Sequence, residues 1–126
     1  MSAKGNVLDA SAVMAVLQEE PGAEKVRPLM AGAVVSAVNI AEILAKLVAR
    51  GMPGQLALDA VESLDLEVIP FGGAEASASA KFVHKKLSLG DRACLATAYV
   101  RGNSAVTAER AWKTAAQHAV TVVLIR

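Results

Sequence analysis

The sequence predicts an α/β protein with a central, mainly parallel sheet covered by helices on both faces. Short apolar runs alternate with longer stretches in which apolar residues recur at helical spacing. The runs are apolar at nearly every position, which is typical of strands buried on both faces. Because a helical stretch separates most successive runs, the strands can be joined by the crossovers that a parallel sheet requires.

Each predicted strand is a short apolar run that ends at a turn, an acid or the start of a helix. The runs occupy residues 6–9, 33–36, 66–70, 104–107 and 120–125. Predicted helices cover residues 11–20, 23–30, 37–50, 53–64, 74–86, 90–101 and 108–116. Stop signals such as Pro21-Gly22, Gly51 and Gly102-Asn103 bound several of them. No linker or repeat interrupts the pattern, so we expect one domain over residues 1–126.

Composition narrows the class of protein. Of the 126 residues, 54% are hydrophobic and 20% are charged, which indicates a globular chain with a real core. A formal net charge of +1 means that any nucleic-acid binding would need a local basic patch. The single cysteine, Cys94, excludes an internal disulfide and a cysteine-based metal site, as expected in a reducing cytoplasm.

We expect no membrane association. The N-terminus lacks the apolar segment of a signal peptide. The most apolar window, residues 31–49, carries Glu42 and Lys46 near its middle, and charges there are costly in a bilayer. This window is better interpreted as a strand followed by a core helix.

Four acids fall where predicted strands end or helices begin. Asp9 directly follows the first strand, and Glu109 lies in the predicted first turn of the helix after the fourth. Asp91 opens a helix, and Glu42 lies nearly two turns into the helix after residues 33–36. Ligands of open α/β sheets bind beyond the carboxyl ends of the strands, so the four carboxylates are expected to share one crevice. A divalent cation such as Mg²⁺ would relieve their mutual repulsion.

Each acid taken singly also has a purely structural interpretation. Asp9 could cap the first helix. Asp91 completes the pattern S-x-x-D of a capping box. Glu109 would be favoured by the dipole of its helix, and Glu42 could pair with Lys46 four residues on.

Four segments spread along the chain resemble one known family. They are VLDAS at 7–11, SAVNIAEIL at 36–44, LSLGDRACLATA at 87–98 and AVTAERAW at 105–112. Together and in this order they resemble PIN-domain proteins, and within that family the VapC-type toxins of bacterial toxin–antitoxin pairs. The resemblance places the family's first three acids on Asp9, Glu42 and Asp91. Its fourth acid, usually aspartate, falls on Glu109.

The resemblance implies a PIN-like three-layer α/β/α fold and a Mg²⁺- or Mn²⁺-dependent endoribonuclease in the cytoplasm. The enzyme would be a homodimer and would be held inactive by a cognate VapB-like antitoxin. The four matched acids would be both its catalytic residues and its metal ligands. Glutamate at the fourth position could weaken a second metal site.

Polar and basic side chains beside the acids are the expected substrate contacts. Arg92 and Arg110 each adjoin one of the four acids and would hold RNA phosphates. Ser11 and Thr107 match hydroxyl residues that the family commonly has beside its first and fourth acids. The basic cluster at residues 81–86 is interpreted equally well as a solvated helix face.

Other functions stay open. The main alternative is a catalytically weak or inactive PIN-fold module that binds RNA or protein, which Glu109 in place of aspartate favours. A metal-free ribonuclease would use His84 and His118 as acid and base, although nothing in the pattern brings them together. A phosphoacceptor domain lacks a clear lysine and a second adjacent acid. Trp112 is expected in the core rather than under a stacked base.

Overall fold

Five short parallel strands form the central sheet of the computed structural model, which describes residues 5–126. The strands are Val7–Leu8 (β1), Val34–Ser36 (β2), Glu67–Ile69 (β3), Ala105–Thr107 (β4) and Val122–Leu124 (β5). Their order across the sheet is β3-β2-β1-β4-β5, and every neighbouring pair is parallel. The chain builds the sheet outward from β1 to one side and then returns to add β4 and β5 on the other. The carboxyl ends of β1 and β4 therefore flank a topological switch point, where such sheets bind ligands.

Seven α-helices are found in the described part of the chain. They are Ala10–Leu17 (α1), Ala23–Val26 (α2), Ala37–Ala49 (α3), Gly54–Glu62 (α4), Gly73–Ala78 (α5), Leu89–Arg101 (α6) and Trp112–Ala115 (α7). Short 3₁₀ helices at Arg27–Leu29 and Ser79–Phe82 extend α2 and α5. Within residues 5–126, no helix is long and apolar enough to cross a membrane.

Alternate residues of the strands lie in two separate buried clusters. Leu8 and Val106 belong to a cluster with residues of α1, α3 and α4. Val7 and Ala105 belong to a second cluster with residues of α6 and α7. Because successive side chains of a strand point to opposite faces, the sheet is covered on both sides. The predicted three-layer α/β/α architecture is confirmed.

Most predicted elements are confirmed with shorter bounds. The apolar window at residues 31–49 is β2 followed by α3, as expected. Trp112 is fully buried in the second cluster, also as expected. The helix predicted at 74–86 is instead α5 and a 3₁₀ turn, and the chain becomes extended at Val83 after the buried Phe82.

The predicted start of the helix at residues 108–116 is wrong. The structure has α7 only at Trp112–Ala115, so Glu109 lies in the loop after β4 and not in a first helical turn. The cause is visible in the hydrogen bonds. The amide of Ala108 donates to Ser11 Oγ at 2.9 Å, and the amide of Glu109 donates to Thr107 Oγ1 at 2.9 Å. Side-chain acceptors thus satisfy two amides at the point where the helix was expected to begin.

Candidate functional site

A pocket of about 230 Å³ lies beside the end of β1. It is lined by four acids, one lysine and a few polar or small residues: Asp9, Ala10, Ser11, Asn39, Glu42, Lys46, Ser88, Asp91 and Glu109. The acids come from four separate segments of the chain: the end of β1, α3, the start of α6 and the loop after β4. The structure therefore brings together all four acids that the sequence singled out. With one lysine against four carboxylates, the lining is strongly acidic.

Asp9 is the most deeply placed of the four acids, since only 3% of it is exposed. Its Oδ1 accepts hydrogen bonds from Ser11 Oγ at 2.7 Å and from the Ala12 amide at 2.9 Å. Its Oδ2 accepts from Thr107 Oγ1 at 2.6 Å. The bond from Ala12 is a helix N-cap, so the structural interpretation of Asp9 is correct. The same side chain also lines the pocket.

Burial dominates the electrostatics of Asp9. The pKa of this carboxyl is raised from 3.8 to about 6, chiefly because burial removes its hydration and to a smaller extent because of the nearby charge of Asp91. The three hydrogen bonds from Thr107, Ser11 and Ala12 lower it, but they do not offset the desolvation. Asp9 is thus a buried carboxylate whose negative charge the protein stabilises incompletely.

Glu42 projects from α3 towards the first turn of α6. Its Oε1 accepts a hydrogen bond from Asn39 Nδ2 at 2.8 Å, and the same amide group donates to the carbonyl of Gly90 at 3.0 Å. A Cβ at Gly90 would overlap the Glu42 carboxylate. The pair between Glu42 and Lys46, which the structural interpretation of Glu42 allowed, is absent from the salt bridges found within residues 5–126. Lys46 instead lines the pocket as its one cationic side chain.

Asp91 occupies the first turn of α6. Its Oδ2 accepts from the Ser88 amide at 2.9 Å, and Ser88 Oγ accepts from the Asp91 amide at 3.1 Å, which completes the predicted capping box. On the same stripe of the helix, Cys94 and Leu95 are fully buried. Asp91 is half-buried at the open end of that stripe, where it lines the pocket. The capping interpretation of this acid is therefore confirmed, and its role as a metal ligand stays a prediction.

Three of the acids affect the pKa of one buried thiol, that of Cys94. Burial raises the pKa of Cys94 well above its ordinary range, and the charges of Asp9, Asp91 and Glu42 raise it further. The thiol is buried in the core cluster that α6 shares with β1, and it stays neutral. Glu109 is the most peripheral of the four acids, because it is exposed on its loop.

Ser11 and Thr107, which the sequence predicted as substrate contacts, point their hydroxyl groups at Asp9. Thr107 has no exposed surface, so it cannot touch a substrate in this structure, and its hydroxyl donates to Asp9. We therefore correct its role to that of a residue that positions Asp9 and the loop carrying Glu109. Ser11 is half-buried and lines the pocket, so substrate contact stays a prediction for it.

The predicted arginines lie at the margin of the site. Arg92 is half-buried in the first turn of α6, Arg110 is exposed beside Glu109, and neither lines the pocket itself. His84 and His118 are exposed and also lie outside the pocket lining. His84 Nδ1 accepts from the Lys86 amide, and His118 packs 5.9 Å from the Phe82 ring, centroid to centroid. Within residues 5–126, no hydrogen bond links the two histidines.

The donor set suits a hard divalent cation. Carboxylate oxygens are the ligands that Mg²⁺ and Mn²⁺ prefer, and the pocket lining has no histidine or cysteine. Within residues 5–126, no three acidic, histidine or cysteine side chains stand close enough to hold one ion together. A cation would thus be held by one or two carboxylates and by water, an arrangement common for Mg²⁺. The incompletely stabilised charge of Asp9 would gain most from it.

Sequence reasoning missed three polar members of the site. Asn39, Lys46 and Ser88 all line the pocket. Asn39 and Glu42 are three residues apart on α3, a spacing that places them on one helix face, so a local signal existed. The bond from Asn39 to Gly90 spans 51 residues and has no local signal.

Comparisons with known proteins identify the family. The model of the PIN domain matches residues 7–117. Among solved structures, the fold is similar to the DNA-bound VapBC complex from Salmonella typhimurium, with a TM-score of 0.78 and 15% identity over 98% of this chain and 100% of that one. It is also similar to FitAcB from Neisseria gonorrhoeae, with a TM-score of 0.69 and 21% identity over 95% and 97% of the two chains. VapBC-5 from Mycobacterium tuberculosis gives a TM-score of 0.69 at 21% identity over 97% and 99%.

The chain therefore belongs to the PIN-domain family. At identities of 15–21%, the likeness to these solved structures shows the fold. None of the curated proteins matches the chain significantly in sequence.

The raised pKa of Asp9 predicts how the metal-free protein responds to pH. The folded state holds the Asp9 proton more tightly than the unfolded state, so this group favours folding below pH 3.8, and the contribution is lost as the pH rises through about 6. At 1.36 kcal/mol per pKa unit, the loss is about 3 kcal/mol. Between about pH 4 and pH 7 in EDTA, we expect the free energy of unfolding of Asp9→Asn to rise by up to this amount relative to the unmodified protein.

Urea denaturation at each pH measures this difference in the free energy of unfolding, with the exposed Asp59→Asn as a control for loss of one charge. A difference that stays flat with pH would contradict the assignment.

Proposed function

We propose that the chain is a divalent-metal-dependent endoribonuclease, the VapC-type toxin of a toxin–antitoxin pair. The observation that carries the proposal is the convergence of four carboxylates from four separate segments on one pocket at the switch point of a PIN fold. Structural needs alone do not explain this convergence, because one helix cap does not require three further acids beside it. Hydrolysis of a phosphodiester is the chemistry that an acid-held metal site serves in nucleases.

The proposed roles of the acids follow from their burial and contacts. Asp9, Glu42 and Asp91 would hold the metal, directly or through water, and Glu109 would assist from its exposed loop. When bound, the divalent cation supplies charge neutralisation at the phosphate and lowers the pKa of water for hydrolysis. Ser11 and Thr107 keep both oxygens of Asp9 fixed, and the capping box keeps Asp91 fixed. Hydrolysis by water would leave a 5′-phosphate and a 3′-hydroxyl.

Binding of RNA would depend on the lysine and arginine side chains in and around the acid pocket. Lys46 lines the pocket itself, and Arg92 and Arg110 flank Asp91 and Glu109 in the chain. Phosphates would be attracted to these side chains while the bound metal offsets the acids. The formal net charge of +1 gives no wider attraction, so substrate binding would be local to this rim.

The proposed partners are a VapB-like antitoxin and a second copy of the chain. Support for the antitoxin is the similarity of fold to proteins described as VapBC, one of which is described as a member of a family of toxin–antitoxin systems. The homodimer and the cytoplasmic location stay predictions from the resemblance in sequence.

A PIN-fold binding module without catalysis is the second candidate. It is favoured by the exposed Glu109 in place of the usual aspartate, and by the lack of a preassembled three-acid cluster within residues 5–126. The two candidates differ in their response to metal. Calorimetry that detects no Mn²⁺ binding at millimolar concentration would favour the module.

Replacement of the most buried acid tests the catalytic proposal. Asp9→Asn keeps the shape of the side chain but removes the charge, so we expect it to abolish Mn²⁺-dependent cleavage of a total-RNA pool while the far-UV circular dichroism is unchanged. EDTA should abolish cleavage by the unmodified protein, and mapping of product ends should find 5′-phosphates. Asp59→Asn, on the exposed face of α4, is the matched control. Cleavage that survives in Asp9→Asn, with contaminating nuclease excluded, would overturn the mechanism.

The salt dependence of RNA binding tests whether Lys46 contacts an RNA phosphate or only balances the charge of the acids. In the Asp9→Asn background, which is expected to bind RNA without cutting it, Lys46→Gln should weaken binding and reduce the slope of log Kd against log salt by about 0.7, the value for one phosphate contact with a single strand. The exposed Lys25→Gln on α2, outside the pocket lining, should leave the slope unchanged. Fluorescence anisotropy with a labelled oligonucleotide measures both. An unchanged slope for Lys46→Gln would mean that Lys46 only balances the acids.

A further inference from the structure

We propose that Asn39 and Gly90 form a clamp that holds the Glu42 carboxylate against the start of α6, and that Asn39 is thereby a positioning residue for the metal site. We refer to Asn39, Glu42 and Gly90 as the Glu42 clamp. The inference rests on the proposed function, because it concerns the same pocket.

The hydrogen bonds of Asn39 define the first half of the clamp. Asn39 is 1% exposed, on the first turn of α3, and its Nδ2 donates both to Glu42 Oε1 at 2.8 Å and to the Gly90 carbonyl at 3.0 Å. Both partners are acceptors, so the opposite orientation of the amide would set Oδ1 against two oxygens. The contacts therefore fix the orientation of the amide. One amide group thus connects Glu42 to the turn that carries Asp91.

The absence of a side chain at Gly90 provides the second half. A Cβ there would overlap the Glu42 carboxylate, including both of its oxygens. Gly90 lies in the first turn of α6 without a positive φ, so its backbone conformation does not require glycine. Glycine also has a low intrinsic helix propensity. The space that it leaves for Glu42 is the physical reason for glycine at this position.

The presence of Asn39 in the clamp destabilises the fold through its second amide atom, the oxygen Oδ1. Asn39 Oδ1 is buried and has no hydrogen-bond partner among residues 5–126. An unpartnered buried acceptor is destabilising, and native proteins retain few such groups. Asn39 is thus a poor choice for core packing alone. Its two hydrogen bonds, to Glu42 and to Gly90, both use the amide nitrogen as donor.

The consequence of the clamp is preorganisation. Gly90 directly precedes Asp91, so holding Glu42 against Gly90 sets acids from α3 and α6 beside each other before a cation binds. Groups that orient metal ligands in this way commonly contribute 10- to 100-fold in metal affinity. We expect the clamp to act on metal affinity first and on cleavage only through it.

The test of Asn39 uses a shape-matched variant without hydrogen-bond donors. Calorimetry should find that Asn39→Leu binds Mn²⁺ about 10- to 100-fold more weakly than the unmodified protein. Its cleavage of RNA should fall at low Mn²⁺ and recover as Mn²⁺ is raised, which a general loss of structure would not do. Thr97→Val is the control, since Thr97 is also fully buried and donates one side-chain hydrogen bond, to the Ala93 carbonyl, outside the pocket. Its Mn²⁺ affinity should be unchanged.

Gly90→Ala tests the same clamp sterically, so the proposal does not depend on the folding of one variant. The added methyl group should displace Glu42 and weaken Mn²⁺ binding to a similar degree. Gly54→Ala is its control, because Gly54 also lies in the first turn of a helix but faces open space. Urea denaturation checks that each variant folds.

The outcomes separate the clamp from the proposed function. If the unmodified protein binds Mn²⁺ and cleaves RNA but both variants bind Mn²⁺ equally well, the clamp is wrong and the function stands. If the unmodified protein neither binds Mn²⁺ nor cleaves RNA, the proposed function fails, and the clamp has no metal site to serve.

Discussion

The structure of the site depends on one buried carboxylate, that of Asp9 at the end of β1. Three hydrogen bonds hold it, and desolvation still raises its pKa to about 6. The ionised form of Asp9 therefore destabilises the folded protein. The groups that donate to Asp9 also shape its surroundings. Ser11 and Thr107 accept the amides of the loop after β4, which delays α7 and places Glu109 in an exposed loop at the pocket. One polar cluster thus determines the position of the first and the fourth acid.

The net charge of the pocket connects stability to function. One lysine faces four carboxylates, and the charge of Asp91 adds to the cost of ionising the buried Asp9. A ligand that binds only the folded state adds its binding free energy to folding. A divalent cation at the proposed site would therefore offset part of the destabilisation that the clustered acids cause. The same arrangement that destabilises the metal-free protein would give the cation its affinity. The buried Asn39 Oδ1, which has no hydrogen-bond partner among residues 5–126, is also destabilising.

The sequence predicts the features of this protein that depend on neighbours along the chain. Apolar runs and helical periodicity predict the five strands and the layers, and the position of Asp9 after its strand predicts its place at the edge of the sheet. What failed depends on distant residues. The helix expected at residues 108–116 starts late because Ser11, 97 residues away, accepts the Ala108 amide. Gly90 looks like an ordinary helix start until Glu42 is placed beside it, and Lys46 looks like an ion-pair partner until the pocket shows where it lies.

The structural and functional interpretations of the acids are not true alternatives in this fold. Asp91 uses Oδ2 to cap α6, and Glu42 uses Oε1 to accept from Asn39. Within residues 5–126, the second oxygen of each accepts no hydrogen bond from the protein. A carboxylate has two oxygens, so one can order the backbone while the other keeps its capacity for a cation or water. Asp9, whose two oxygens are both occupied by donors, is the exception, and it is also the acid from which burial removes the most hydration. The deepest acid is therefore held at both oxygens and the two beside it at one oxygen each, so the proposed metal site would be largely ordered before a cation binds.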